Sequence, residues 1–77
     1  MNNTLPIGEL IREKLIEERR SAIWLAEKLC CHRSTVHKIL NKSLIDTELL
    51  LRISLVLDFN FFNYYTNIFN ENQTKQS

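Results

Sequence analysis

Apolar side chains recur along the chain at helical spacing. Ile7, Leu10, Ile11 and Leu15 stand three and four residues apart, the interval that places side chains on one helical face. Thr4 with Pro6 can open that helix, which is expected to run to about Glu18. Its outer face carries Glu9, Glu13, Glu17 and Glu18, partly matched by Arg12 and Lys14, and should be solvated. Ser21 is a suitable N-cap for a second helix, in which Leu25 and Leu29 point inward with Ala26 beside them. Val36, Ile39 and Leu40 form the stripe of a third. Asp46 or Thr47 caps a fourth that turns Leu49, Leu50, Ile53, Val56 and Leu57 to the core. After Asp58 the series Phe59, Phe61, Phe62, Tyr64, Tyr65, Ile68 and Phe69 predicts a short fifth helix. A polar tail that should fray begins at about Asn70. There is no repeat, linker or second domain: residues 1–69 are expected to form one unit and residues 70–77 its tail.

The size of the chain narrows what that unit can do. A 77-residue domain buries only about 60% of its unfolded surface, so a large catalytic cleft is not expected and an oligomer partner or ligand would help stability. One Gly and one Pro among 44% hydrophobic and 25% charged residues indicate an all-α, compact five-helix fold. The start MNNTLPIGEL lacks the basic-then-apolar order of a signal peptide. The apolar-rich run Leu49 to Phe62 is broken by Arg52, Ser54, Asp58 and Asn60 and is too short to span a bilayer. Cys30 and Cys31 are adjacent, a poor geometry for a disulfide in a helical corner. A cytoplasmic protein without a cofactor is therefore expected.

Net charge is only +1, but its distribution is uneven. Arg19, Arg20, Lys28, Arg33, Lys38 and Lys42 face Glu27 alone, giving +5 over residues 19–42, whereas residues 43–77 carry −2. One part of the domain is basic.

That part is SAIWLAEKLCCHRSTVHKILNKS, two short helices with almost nothing between them. Leu25, Ala26, Leu29, Cys31, Val36 and Ile39 are the apolar or small residues that two crossing helices must bury. This spacing, at about residues 22–41, looks like a helix-turn-helix. The stretch from about Ile7 to Tyr65, with IGELIREKL, WLAEKL and IDTELLLRISLVLDFNFF, resembles the XRE family of lambda-repressor and Cro-like DNA-binding domains, in particular a small single-domain branch. Two positions depart from the family pattern. Cys30 stands where the family usually has a glycine of positive φ, at a cost of roughly 1–2 kcal/mol. His32 stands where a small capping residue usually starts the second helix of the motif.

With Val36, Ile39 and Leu40 turned inward, the 100° helical step puts Ser34, His37, Lys38 and Asn41 outward, with Arg33 at the leading edge. None is a carboxylate. The resemblance implies that this is a recognition helix lying in the major groove of double-stranded DNA, its outward residues reading bases. Arg19, Arg20, Ser21 and Lys42 flank it and suit phosphate contacts, which fix register without reading sequence. The function expected is transcriptional regulation, most simply repression.

Other readings compete with this one. Cys30, Cys31, His32 and His37 contain metal-binding atoms, but zinc sites usually space cysteines two to four residues apart; Cys31 is better placed in the core. No nucleophile elbow, phosphate-binding glycine loop or metalloprotease spacing occurs, so no enzyme is expected. A protein-binding module, antitoxin-like or adaptor, could use the same fold without reading DNA. Six of the seven aromatic residues lie between Phe59 and Phe69, and no Lys or Arg lies between Arg52 and Lys75. That argues against a basic aromatic groove for single strands. Some of these rings close the core; surplus ones, with Phe62 and Tyr65 foremost, would make a homodimer contact, at least on DNA. Neither a membrane nor a small-molecule ligand is suggested.

Overall fold

The computed structural model describes residues 5–76, with side chains through residue 73. The described chain is all-helical: α1 (Ile7–Glu17), α2 (Ala22–Leu29), α3 (Arg33–Leu40), α4 (Thr47–Leu57) and α5 (Phe62–Gln76). None of these helices is long and apolar enough to cross a membrane.

Capping explains where the helices begin. Ser21 Oγ accepts from the Trp24 N–H at 3.0 Å, and Asp46 Oδ1 accepts from the Leu49 N–H at 2.7 Å. Asp46 rather than Thr47 is therefore the cap of α4. Helix α1 has no side-chain cap. Its first donors are satisfied by the chain leaving α3, with Ile7 N–H donating to Ser43 O at 3.1 Å and Gly8 N–H to Lys42 O at 3.0 Å. Thr4, expected with Pro6 to open this helix, lies outside the described residues.

The single glycine is spent on that junction. A Cβ at Gly8 would stand 2.5 Å from the carbonyl oxygen of Leu40 and 2.7 Å from that of Ile39. Both obstacles are backbone, so only glycine allows α1 to cross α3 this closely. The helix ends consequently use other residues in the left-handed region: Arg19 at φ 58°, Cys30 at φ 58° and Asp58 at φ 52°. After each, the next N–H reaches back into its helix: Arg20 to Leu15 O at 2.8 Å, Cys31 to Ala26 O at 3.0 Å and Phe59 to Ser54 O at 3.0 Å. These are Schellman closures, each carrying a steric cost of roughly 1–2 kcal/mol that glycine would avoid.

The core contains Ile7, Ile11 and Leu15 of α1, Leu25, Ala26 and Leu29 of α2, Val36, Ile39 and Leu40 of α3, Leu50, Ile53 and Leu57 of α4, and Phe61. Leu49, Val56 and Cys31 are half-buried against it. Arg52 ties α4 to α2, its guanidinium donating to Leu29 O at 2.8 Å. Buried Ser54 accepts from the Phe61 N–H at 3.4 Å, which seats the Phe61 ring.

The C-terminal segment departs from expectation. Helix α5 is longer than the short helix expected, running for 15 residues to Gln76. Neither Gly nor Pro follows Asn60, so nothing breaks the propagating ladder. Asn72 Nδ2 also bonds Ile68 O at 2.8 Å. Near the start of α5, the Tyr64 hydroxyl bonds the backbone of Leu5, pinning the chain entering α1. Phe62, expected as a surplus ring, is half-buried and packs on the core. The exposed rings are Phe59, Tyr65 and Phe69.

Candidate functional site

The basic segment folds into a tight corner whose geometry follows from its sequence. Cys30, Cys31 and His32 alone separate α2 from α3. Cys30 takes the left-handed conformation that reverses the chain, and the half-buried Cys31 packs against the core. His32 does cap α3, through an unusual atom: Nδ1 accepts from the Ser34 N–H at 3.2 Å. The Ser34 hydroxyl lies 2.9 Å from the same Nδ1. Helix α3 thus begins at Arg33 with its first turn anchored.

All five proposed base-reading residues, Arg33, Ser34, His37, Lys38 and Asn41, are exposed on α3 or at its end. They do not form one uniform row. Asn41 lies towards α1, its Oδ1 accepting from the Arg12 guanidinium at 3.3 Å, and Arg12 is paired with Glu9 at 3.7 Å. Asn41 keeps its amide N–H donors for another partner. Lys38 lies towards α4, lining a notch with Thr35 and Lys42. Ser34 and His37 occupy the remaining outward face, with Arg33 at its leading edge.

The flanking residues gather in two places. Lys42 closely follows α3, beside the junction with α1. Arg19, Arg20 and Ser21 sit together between α1 and α2, where Ser21 is partly committed as the α2 cap. Trp24, whose placement the sequence leaves open, is half-buried and carries Arg20 on its ring at 4.6 Å, with Lys28 at 5.9 Å. The indole is a platform that holds a guanidinium at the start of α2. Three residues of this surface escape a sequence reading: Arg12, Trp24 and Arg52. The roles of Arg12 and Arg52 depend on tertiary contacts with Asn41 and Leu29, whereas Trp24 meets Arg20 and Lys28 at a local spacing of four residues on either side.

Among the described residues no three His, Cys, Asp or Glu side chains come together in a way that would hold a metal ion. Both cysteines are free thiols. Away from α3, Leu51, Leu55, Phe59 and Phe62 line a shallow groove of about 610 Å³ on the outer side of α4 and the start of α5. Partial burial first, and then the neighbouring Tyr64, hold the Tyr65 phenol above its ordinary value of 10.0.

Comparison with family models, with curated proteins and with solved structures finds no match to this chain.

Proposed function

We propose that this chain is a sequence-specific double-stranded DNA-binding protein that enters the major groove with α3 and represses transcription in the cytoplasm. The observation that carries the reading is the outer surface of α3. From Arg33 to Lys42 every outward side chain is polar or cationic, none is a carboxylate, and Val36, Ile39 and Leu40 are all buried beneath. A helix so mounted presents donors and acceptors to a groove without exposing apolar area. Arg33, Ser34, His37 and Asn41 face base edges, and Lys38 borders them. Arg19, Arg20, Ser21 and Lys42 take phosphates on either side. The corner is consistent with a small single-domain relative of the lambda-repressor and Cro-like proteins.

The chain is further proposed to act as a homodimer, which would place two copies of α3 on paired half-sites. Leu51 and Leu55 on α4 and Phe59 after it are 48%, 72% and 43% exposed, and an apolar surface of this kind supports association. The same observation favours a second reading, a protein-binding module whose apolar groove rather than α3 is the working surface.

Selection of bound duplexes from a random DNA pool separates the two. Enrichment of a defined, two-fold related sequence is expected. Recovery of no preferred sequence would support the protein-binding reading.

A further inference from the structure

The notch between α3 and α4 combines features that the face of α3 alone does not have. Thr35, Lys38 and Lys42 follow one another at intervals of three and four along α3 and its exit, so they lie along one side of the helix. Arg52 reaches the same notch from α4. Three cations from two helices thus line a space of about 230 Å³, and none of the residues lining it is a carboxylate. Leu29, Ile39 and Leu49 supply its apolar wall.

Cations gathered without a counter-charge repel one another, and the arrangement gains most from an anion held between them. Arg52 is the anchor. One of its donors is fixed to Leu29 O at 2.8 Å, which orients the planar guanidinium and leaves its other donors for a ligand. The Thr35 hydroxyl adds a neutral donor. Donors approaching from two helices suit a tetrahedral group with several acceptor oxygens better than a planar carboxylate, and the apolar wall suits a sugar or short carbon skeleton attached to it. The space is smaller than a drug-sized ligand needs.

We propose that this notch is a site for a single phosphate group, held by Lys38, Lys42 and Arg52 with Thr35. The phosphate comes either from a DNA backbone or from a free phosphate ester. Assigning it to the backbone rests on the DNA-binding reading, whereas the site itself does not. On DNA, Lys38 is then a phosphate clamp at the edge of the reading face rather than a base reader, and Arg52 is a DNA contact outside the helix-turn-helix.

Nitrogen-15 spectra that resolve the arginine side-chain Nε–H signals test this on the full chain. Inorganic phosphate is titrated against sodium chloride of equal ionic strength, and a duplex enriched from a random pool is titrated separately. The site predicts saturable movement of the Arg52 Nε–H and Thr35 amide signals with phosphate, at concentrations that leave the exposed Arg33 unmoved. The movement should vanish in the double variant Lys38→Gln, Lys42→Gln, both at exposed positions. If the duplex moves the same signals and phosphate then adds nothing, the backbone is the source. If phosphate titrates the notch while the duplex moves nothing, the site stands for a free phosphate ester and the DNA-binding reading fails. If the duplex moves Ser34 and His37 but phosphate leaves the notch unmoved, or moves Arg52 and Arg33 together, the phosphate site is overturned and DNA binding stands. Persistence of the phosphate response in the double variant also overturns it.

Discussion

Helices α3 and α4 pack into one core and meet solvent in opposite ways. On α3 all three large apolar side chains, Val36, Ile39 and Leu40, are buried, leaving a polar and cationic exterior. On α4 the inward residues Leu50, Ile53 and Leu57 are equally well buried, yet Leu51 and Leu55 remain 48% and 72% exposed on the other side. The core therefore does not dictate either exterior. A surface of donors without carboxylates suits a polyanion, and a surface of leucines beside Phe59 suits another apolar surface.

The largest effect expected comes from the mount that holds α3 in place. At Gly8 an added methyl meets two backbone carbonyls of α3, which cannot turn aside as a side chain would. Gly8→Ala should destabilise by about 3 kcal/mol or more, lowering the melting temperature by on the order of 15 °C. Thermal denaturation followed by circular dichroism measures it. A change of less than a few degrees would mean that the α1–α3 crossing is loose and that α3 is not rigidly presented.

The apolar exterior of α4 is challenged by Leu55→Lys. In a two-fold dimer each substitution acts twice. Loss of two buried leucines at about 1.5 kcal/mol each should weaken self-association on the order of a hundredfold. Sedimentation at several concentrations should show monomer, with helical circular dichroism retained because Leu55 is outside the core. If wild type is already monomeric with and without duplex, the dimer reading is lost. Leu55 is a cleaner probe than Phe62, whose ring also packs on the core.

Much of this fold was legible in local pattern. Ser21 and Asp46 cap helices because a short oxygen-bearing side chain precedes an apolar stripe, and Cys30 has the positive φ that its place in the corner demands. What the sequence did not reveal depends on distant partners. Gly8 is an ordinary helical glycine until the backbone carbonyls of Ile39 and Leu40 are placed against it. Arg12 is one charge of an acidic helix until it meets Asn41. Arg19 and Asp58 gave no sign of their left-handed backbone, since neither residue type requires it. The length of α5 was hidden because its polar residues satisfy helix and coil about equally, and the absence of a breaker decides. Within the candidate site, periodicity was enough to choose the outward residues of α3. It could not show that Lys38 and Asn41 lean to opposite sides.

A smaller effect belongs to the corner. Cys30→Gly relieves roughly 1–2 kcal/mol of left-handed strain and loosens the unfolded chain by up to about 1 kcal/mol. The melting temperature should stay level or rise by up to roughly 5 °C. A clear fall would show that the thiol contributes a contact beyond its backbone geometry.

The smallest effect concerns Tyr65 on α5. Its folded-state value is raised above 10.0, so the fold favours the neutral phenol. Its contribution to stability is intact below that pH and is lost as pH rises through and above it. Urea titrations on either side of that value should show a small alkaline loss in the wild type that Tyr65→Phe reduces. An unchanged loss in the variant would assign the alkaline sensitivity to another group.

The central claim is that α3 reads DNA sequence, and the ratio of binding to a selected duplex and a scrambled one measures it most directly. Arg33→Ala and His37→Ala alter exposed side chains on the outward face, and each should cost roughly 1–3 kcal/mol on the selected duplex alone, lowering the ratio about tenfold or more. Arg20→Ala, assigned to a phosphate, should weaken both duplexes alike and reduce the salt slope by roughly 1. If Arg33, Ser34, His37 and Asn41 can all become alanine in a folded protein with the ratio unchanged, α3 does not read sequence and the account is contradicted.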